Sequence, residues 1–333
     1  MSGSERSGDC SAPFVEQKPN RVAIILNPRS GNGRAEKQWQ RIEKQVAGLL
    51  PEYEVLRTQA PGDGTTLTRD ALRAGFDRII SAGGDGTHFE VVNGFFDGTT
   101  SIRPDASFAI LPIGTASDLR KTYGLPKLED AIARLASPCV LPIDIGRLRS
   151  TDDTGAECIY HFNTAVHMGM GSLVNLHVNR RSKALGPLLT FALGVISARL
   201  AYKPIEMTVN ADGQEFSGRF LEVIVAKGFY DGGGMHVAPH GTLDSGFFEV
   251  YFVDDLGTVS SLVASLRLYS GTHGEHHAVH YLRAKRVTVT ARDTVYCGPD
   301  GEVTGHLPAT LEILPRAIRA VTGPNPRVSL RST

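Results

Sequence analysis

Arg78-Ile79-Ile80-Ser81-Ala82-Gly83-Gly84-Asp85-Gly86-Thr87-His88-Phe89-Glu90-Val91-Val92-Asn93-Gly94-Phe95 is the stretch that decides the fold. An apolar run too short for a helix meets Gly-Gly-Asp-Gly-Thr, and Phe89, Val92 and Phe95 or Phe96 then recur at helical spacing, so the pattern predicts strand, tight loop, helix. Glycines let a backbone come close to a ligand, and the start of the next helix turns its amides and positive end toward the same place, which suits a phosphate. Thr87 and Glu90 have the Thr-x-x-Glu spacing of a capping box. Asp85 is unexpected in an anion loop, because a carboxylate repels phosphate unless it holds a divalent cation or acts on a hydroxyl; this points to phosphoryl transfer. Taken alone, the same letters also describe an ordinary glycine-rich turn with a solvated Asp.

Working outward, Val22 to Leu26 is an apolar strand that enters Asn27-Pro28-Arg29-Ser30-Gly31-Asn32-Gly33 before a polar helix from about Ala35 to Leu50. Tyr53 to Thr58 reads as a strand and Thr65 to Gly75 as a helix, with Gly62-Asp63-Gly64-Thr65 as a turn and helix cap. Phe108 to Ile113 is another buried strand, closed by Gly114-Thr115-Ala116-Ser117-Asp118. Strand-loop-helix units in succession build a parallel, doubly wound sheet with their loops along one edge. The loops are neither Gly-x-Gly-x-x-Gly nor a P-loop.

After Asp144 the pattern changes to short alternating runs with turn signals, which fits an antiparallel β-sandwich. Asn179-Arg180-Arg181-Ser182-Lys183 beside the apolar stretch Ala184 to Ala201 can rest on an anionic membrane surface, flank an acyl-chain pocket, or be a buried helix with a solvated start; its glycines, Pro187 and Arg199 make it a poor membrane span. Asp300 and Glu302 flank Gly301, so an extended segment would send both side chains to one face, whereas an exposed turn is the plain alternative. His273, His276, His277 and His280 would share zinc only if helical, and the segment reads better as a loop between strands. His88 reads as a surface or capping residue, and Met168, Met170 and Phe191 as core.

With 35 Lys plus Arg against 35 Asp plus Glu, no basic field favours nucleic acid. Four scattered cysteines suit reduced thiols. The polar start is neither signal peptide nor anchor. The expected division is a disordered tail over 1–19, an α/β nucleotide-binding domain over 20–142, a β-sandwich lipid-substrate domain over 143–318, and a C-terminal segment, 319–333, that can return to the first domain.

Together, Asn27-Pro28-Arg29-Ser30-Gly31, Gly83-Gly84-Asp85-Gly86-Thr87, Leu111-Pro112-Ile113-Gly114-Thr115, Gly232-Gly233-Gly234 with Ala238-Pro239, and Asp300-Gly301-Glu302 resemble the diacylglycerol kinase catalytic-domain family, which includes bacterial lipid kinases and, more distantly, sphingosine and ceramide kinases. The resemblance implies an α/β domain like those of NAD kinase and phosphofructokinase followed by a β-sandwich, and ATP- and Mg²⁺-dependent phosphorylation of a lipid hydroxyl, diacylglycerol-type first. It assigns ATP to Asn27, Pro28, Arg29, Ser30, Gly31, Thr58, Gly84, Asp85, Gly86, Thr87, Gly114 and Thr115, and the acceptor side to Asp118 and Asp144. The base is Glu302 with Asp300 beside it, or Asp85; Asp85→Asn and Glu302→Gln are each expected to remove most turnover and leave the thermal midpoint nearly unchanged. Asp244-Ser245-Gly246 stands where bacterial members often have Asp-Asp-Gly, a segment linked in some to a structural Mg²⁺, so Asp244 is the candidate ligand with one carboxylate missing. The alternatives are a kinase of a sphingoid or non-lipid acceptor, NAD kinase-like, and a non-catalytic regulator that binds ATP or lipid. The implied setting is the cytoplasm, peripheral to a membrane that holds the lipid substrate, with room for a homodimer.

Overall fold

The computed structural model describes residues 21–50, 52–115, 117–172, 199, 201–324 and 326–328. The expected tail and the basic-apolar stretch from Asn179, apart from Arg199 and Ala201, lie outside the described residues, as does Phe191. The chain divides into two compact units, the first comprising 1–97, 101–143 and 317–328, the second 98–100, 144–316 and 329–333.

The first unit carries β1 (Val22–Leu26), α1 (Arg34–Ala47), β2 (Tyr53–Arg57), α2 (Asp63–Arg73), β3 (Arg78–Gly83), α3 (Asp85–Gly94), β4 (Phe96–Asp97), the second residue of the short β5 (Thr100–Ser101), β6 (Ser107–Pro112), α4 (Asp118–Thr122), α5 (Leu128–Ala136) and the start of β7 (Cys139–Thr151). The second carries the rest of β7, β8 (Glu157–Phe162), β9 (Ala165–Gly169), β10 (Ile205–Ala211), β11 (Gln214–Ala226), β12 (Phe248–Asp254), α6 (Thr258–Ser270), β13 (Val279–Ala284), β14 (Arg286–Ala291), β15 (Tyr296–Pro299) and most of β16 (Gly305–Thr322). The end of β16 belongs to the first unit.

In the first unit β2, β1, β3, β6 and the end of β16 lie side by side, all parallel. Strands covered on both faces read as unbroken apolar runs, and β1 is buried at every position. Helix α1 buries Ala35, Trp39, Ile42 and Val46, an i, i+4, i+7, i+11 stripe that leaves its charges to solvent. Helix α3 is buried nearly all round, because α2 packs on its outer side: a Cβ at Gly94 would strike the Thr65 carbonyl and the Thr68 side chain.

Glu90 explains how those two helices are locked, and it corrects the capping-box expectation. Helix α3 starts at Asp85 with no side-chain cap. The Glu90 carboxylate instead accepts the amides of Gly62 and Gly64, both at 2.9 Å, at the start of α2. A negative group there satisfies orphan amides and meets the positive end of α2. His88 is a second correction: it is 1% exposed, with Nδ1 2.7 Å from the Ser81 hydroxyl, and burial pushes its imidazole down to about 3. The ring lies on the side of α3 that faces Ser81 of β3, where there is no surface to offer it.

The second unit is antiparallel apart from its helix. One layer runs β13, β12, β11, β10, β14, β16, and β9 and β15 branch from β11 and close on β16, so the long strands β11 and β16 serve both layers. The core between them includes Phe162 and Phe248, stacked at 5.7 Å, with Met168, Val209, Val223 and Val250. The all-β reading missed α6. Among the histidines, His273 is buried in a short 3-10 turn, His276 and His277 stack in a loop, and His280 sits on β13 paired with Asp254 at 2.9 Å, so the four do not form a helix face. Cys158 and Cys297 are free thiols. Among the described residues no helix is long and apolar enough to cross a membrane.

Candidate active site

In the first unit the chain goes from β1 outward to β2 and then back past β1 to β3. Open α/β sheets bind ligands at the carboxyl ends of strands flanking such a reversal. The loops after β1, β3 and β6 all leave from that edge, and they are bonded to one another. The Asn27 amide nitrogen of the side chain donates to Thr87 Oγ1 at 3.1 Å, and the Gly114 N–H donates to the Gly83 carbonyl at 2.9 Å. Arg34 donates from Nη2 to Thr115 Oγ1 at 3.1 Å and from Nε to the Gly31 carbonyl at 3.0 Å. Sequence reasoning placed Arg34 on no list; the signal was a cation directly after the glycine turn.

Two glycine positions explain why these loops fit. Gly31, Asn32 and Gly33 are three successive left-handed residues, with φ of 62°, 57° and 79°, a turn that β-branched residues resist. A Cβ on Gly114 would lie 2.6 Å from Gly84 Cα and 2.9 Å from Ser30 Oγ, so the three loops touch where Gly114 has no side chain. Thr58 follows β2, buried, with its N–H on the Leu26 carbonyl at 2.9 Å.

The structure thus brings Asn27, Ser30, Gly31, Gly84, Asp85, Thr87, Gly114, Thr115 and Asp118 into one cradle. The Asp85 carboxylate, half-buried, accepts the Asp118 N–H at 2.9 and 3.1 Å and the Leu119 N–H at 3.3 Å, so it holds the first turn of α4. Asp118 is buried and ion-paired with Lys121 at 3.2 Å. Each carboxylate oxygen of Asp85 has two lone-pair sites, which leaves acceptor capacity for a cation.

In the second unit the Asp-Gly-Glu segment is a turn, not an extended stretch. Asp300 and Gly301 have φ of 48° and 85°, so of the two readings the turn holds and the extended one, with both side chains on one face, does not. Asp300 turns inward and is buried: it accepts the Asn163 and Thr164 N–H groups at 2.8 Å each and the Thr164 hydroxyl at 2.6 Å. Burial pushes its carboxyl up to about 6, against those three donors and with a contribution from Asp231. Glu302 is exposed.

Sequence reasoning also missed a buried charge group behind that turn. His167 on β9 has Nδ1 3.1 Å from Glu222 and Nε2 3.0 Å from Asp231, the residue that opens the Gly232-Gly233-Gly234 run. Burial alone would lower its imidazole, yet the bonds and charges of Asp231 and Glu222 raise it to about 10, so it is a cation. Asp144 is buried in the same unit, accepting the Gly246 N–H at 2.7 Å and the Arg316 N–H at 3.0 Å, so its carboxylate is committed to backbone. Among the described residues no group of three His, Cys, Asp or Glu side chains is placed to hold a metal ion.

A parallel α/β unit with glycine loops at its reversal, followed by an antiparallel β-sandwich, is an architecture that known kinases share, and the chain is similar to such proteins. Residues 21–148 match the diacylglycerol kinase catalytic domain, and 164–322 match the YegS C-terminal NAD kinase beta sandwich-like domain. The chain belongs to the diacylglycerol kinase catalytic-domain family. It is 29% identical over 307 residues to a diacylglycerol kinase of Bacillus subtilis, covering 90% of this chain and 96% of that one. It is 28% identical over 311 residues to a diacylglycerol kinase of Staphylococcus saprophyticus, covering 91% and 95%. The crystal structure of a diacylglycerol kinase from Bacillus anthracis superposes with a TM-score of 0.68 at 22% identity, over 93% of this chain and 99% of that one. Yeast NADH kinase complexed with NADH shares the fold, with a TM-score of 0.51 at 12% identity over 95% and 91%.

Proposed function

We propose that the chain transfers the γ-phosphoryl group of ATP to the hydroxyl of a diacylglycerol-type lipid. The observation that carries this reading is the cradle at the sheet reversal, where three loops are cross-bonded around glycines that leave room for backbone to meet a phosphate. Arg34 and the first-turn amides of α3 face charge that builds on the phosphoryl oxygens, and they are held in place before the reaction, which is how such groups stabilise a transition state. Asp85 fits a Mg²⁺ ion riding with the nucleotide, whose positive charge would neutralise the phosphates. Asp118, paired with Lys121, and Asp144, through the backbone it positions, serve the acceptor side.

Of the three acids, Glu302 suits the base. Asp300 is spent on Asn163 and Thr164, so it is a positioning residue that fixes the turn bearing Glu302, and Asp85, bonded to the start of α4, suits the cation better than the proton. The protein works at the face of a membrane that holds its substrate, with ATP drawn from the cytoplasm. The NAD kinase alternative has support only from fold, at 12% identity.

The test is radiolabelled ATP with diacylglycerol, phosphatidylglycerol, ceramide, polyprenol and NAD as acceptors. Label is expected in the diacylglycerol product, and Glu302→Gln is expected to cut turnover by about 10²-fold or more while KM for ATP holds. Transfer to NAD alone, or to none of the panel, overturns the lipid reading; a near-normal rate in Glu302→Gln removes that residue as base.

A further inference from the structure

Lys227, directly after β11, carries its ammonium into the interior of the second unit: its side chain is 3% exposed, and Nζ donates to the Thr242 carbonyl at 2.5 Å. The Asp144 Oδ2 atom lies 3.9 Å away, with its side chain fully buried. Burial pushes the ammonium down to about 8, while the charges of Asp144, Asp244 and Glu249 pull the other way and keep it protonated at neutral pH. Two aspartates and a backbone carbonyl are the hard oxygen donors that a divalent cation would use. A cation is already there.

The rest of the loop agrees. Ser245, which stands where a second carboxylate is common in the family, turns to its own backbone: its hydroxyl donates to the Phe247 carbonyl at 3.0 Å and accepts the Phe247 N–H at 3.2 Å. Asp144 uses one oxygen for the Arg316 N–H and the other for the Gly246 N–H. A divalent ion on these oxygens would meet the ammonium at contact distance with no carboxylate to spare.

We propose that the Lys227 ammonium is a built-in cation that takes the place of a structural metal among Asp144, Asp244 and the Thr242 carbonyl, so that the second unit holds its fold with no metal of its own. The proposal shares Asp144 with the kinase reading, but its test uses neither nucleotide nor lipid, so the two can fail separately. A buried charge without a partner is costly, so the ammonium and the acids need each other. Removal of the ammonium should leave an acidic hole that a divalent ion can fill.

Thermal melts of the full chain without nucleotide test this. The native protein is expected to melt within about 1 °C of the same temperature in millimolar EDTA and in millimolar MgCl₂, since a ligand that does not bind the folded state cannot shift its midpoint. Lys227→Met is expected to melt several degrees lower in EDTA and to regain part of the loss in MgCl₂. A fall in the native midpoint on adding EDTA overturns the proposal, as does a Lys227→Met variant that melts like the native protein or ignores MgCl₂. Should Lys227→Met not fold, Lys227→Met with Asp244→Asn removes one of the charges that the ammonium answers. That pair is expected to fold and to melt above Lys227→Met alone, and failure of the pair to recover also overturns the proposal.

Discussion

Asp85 in the first unit and Asp300 in the second do the same mechanical work in opposite surroundings. Each carboxylate accepts two neighbouring backbone amides and so fixes a turn, Asp118–Leu119 in one case and Asn163–Thr164 in the other. Asp85 keeps part of its surface open, whereas Asp300 is 8% exposed and its carboxyl is pushed up to about 6 by burial. The histidines repeat the contrast. His88 sits in the first unit as a neutral ring on a serine hydroxyl, and His167 sits in the second as a cation between two carboxylates. In this pair the first unit leaves Asp85 partly open, where a ligand can meet it, and the second spends buried charge on holding strands and loops.

The largest effect should come from breaking the buried group at His167. His167→Leu leaves Glu222 and Asp231 buried without their cation, and the loss should be roughly 3–5 kcal/mol, against about 1 kcal/mol for losing the single neutral hydrogen bond of His88. The signs with pH differ too. The His167 imidazole is raised, so its contribution is whole below pH 6.5 and is lost as pH rises through about 10. The His88 imidazole is depressed, so its neutral form supports the fold above pH 6.5 and that support is lost as pH falls toward about 3. Trp39, the chain's one tryptophan, reports on the first unit by fluorescence, and hydrogen exchange over β9 and β11 reports on the second. Equal alkaline loss in both units would break the comparison.

Much of the first unit was legible because its signals are local. Periodicity gives β1, β3 and α1, and loop glycines mark the strand ends where the cradle forms. What was not legible is which long-range partner a polar side chain chooses. Thr87 and Glu90 have the spacing of a local cap, but the glycine-rich start of α2 offers Glu90 two amides that a nearer partner does not. The pairing of His167 with Glu222 and Asp231 spans 55 and 64 residues, and no spacing rule reaches so far. The Asp-Gly-Glu turn failed on a backbone point: period-two alternation assumes an extended chain, and Asp300 is left-handed. Helix α6 was hidden because Val, Leu, Ser and Thr in its sequence read as well for a strand.

Asp300→Asn should come next in size. The amide side chain keeps one oxygen but turns an NH₂ toward groups that already donate, so one of the three bonds is lost and a buried donor is left opposed, at about 2–3 kcal/mol. Hydrogen exchange at Asn163 and Thr164 should speed up first. Turnover should fall with it, because the same turn carries Glu302. If exchange there stayed at the native rate while turnover fell, Asp300 would be reacting with substrate and not positioning the turn.

The smallest structural effect belongs to Asp85→Asn, and it is the one that separates the two acids. The sequence alone expects no change in thermal midpoint, since it treats Asp85 as a site group only. The contacts to Asp118 and Leu119 make it also the anchor of a helix start, and loss of such a charged cap costs about 1 kcal/mol. The fall should be seen by Trp39 fluorescence in urea and should be less than half that of Asp300→Asn, because water can replace part of what a half-buried carboxylate supplied. Turnover should drop far more than stability does, since the cradle loses the negative charge that suits Mg²⁺. A variant that lost stability and turnover in step would make Asp85 the same kind of residue as Asp300, and the distinction between an open acid and a buried one would then have no bearing on which of them meets the nucleotide.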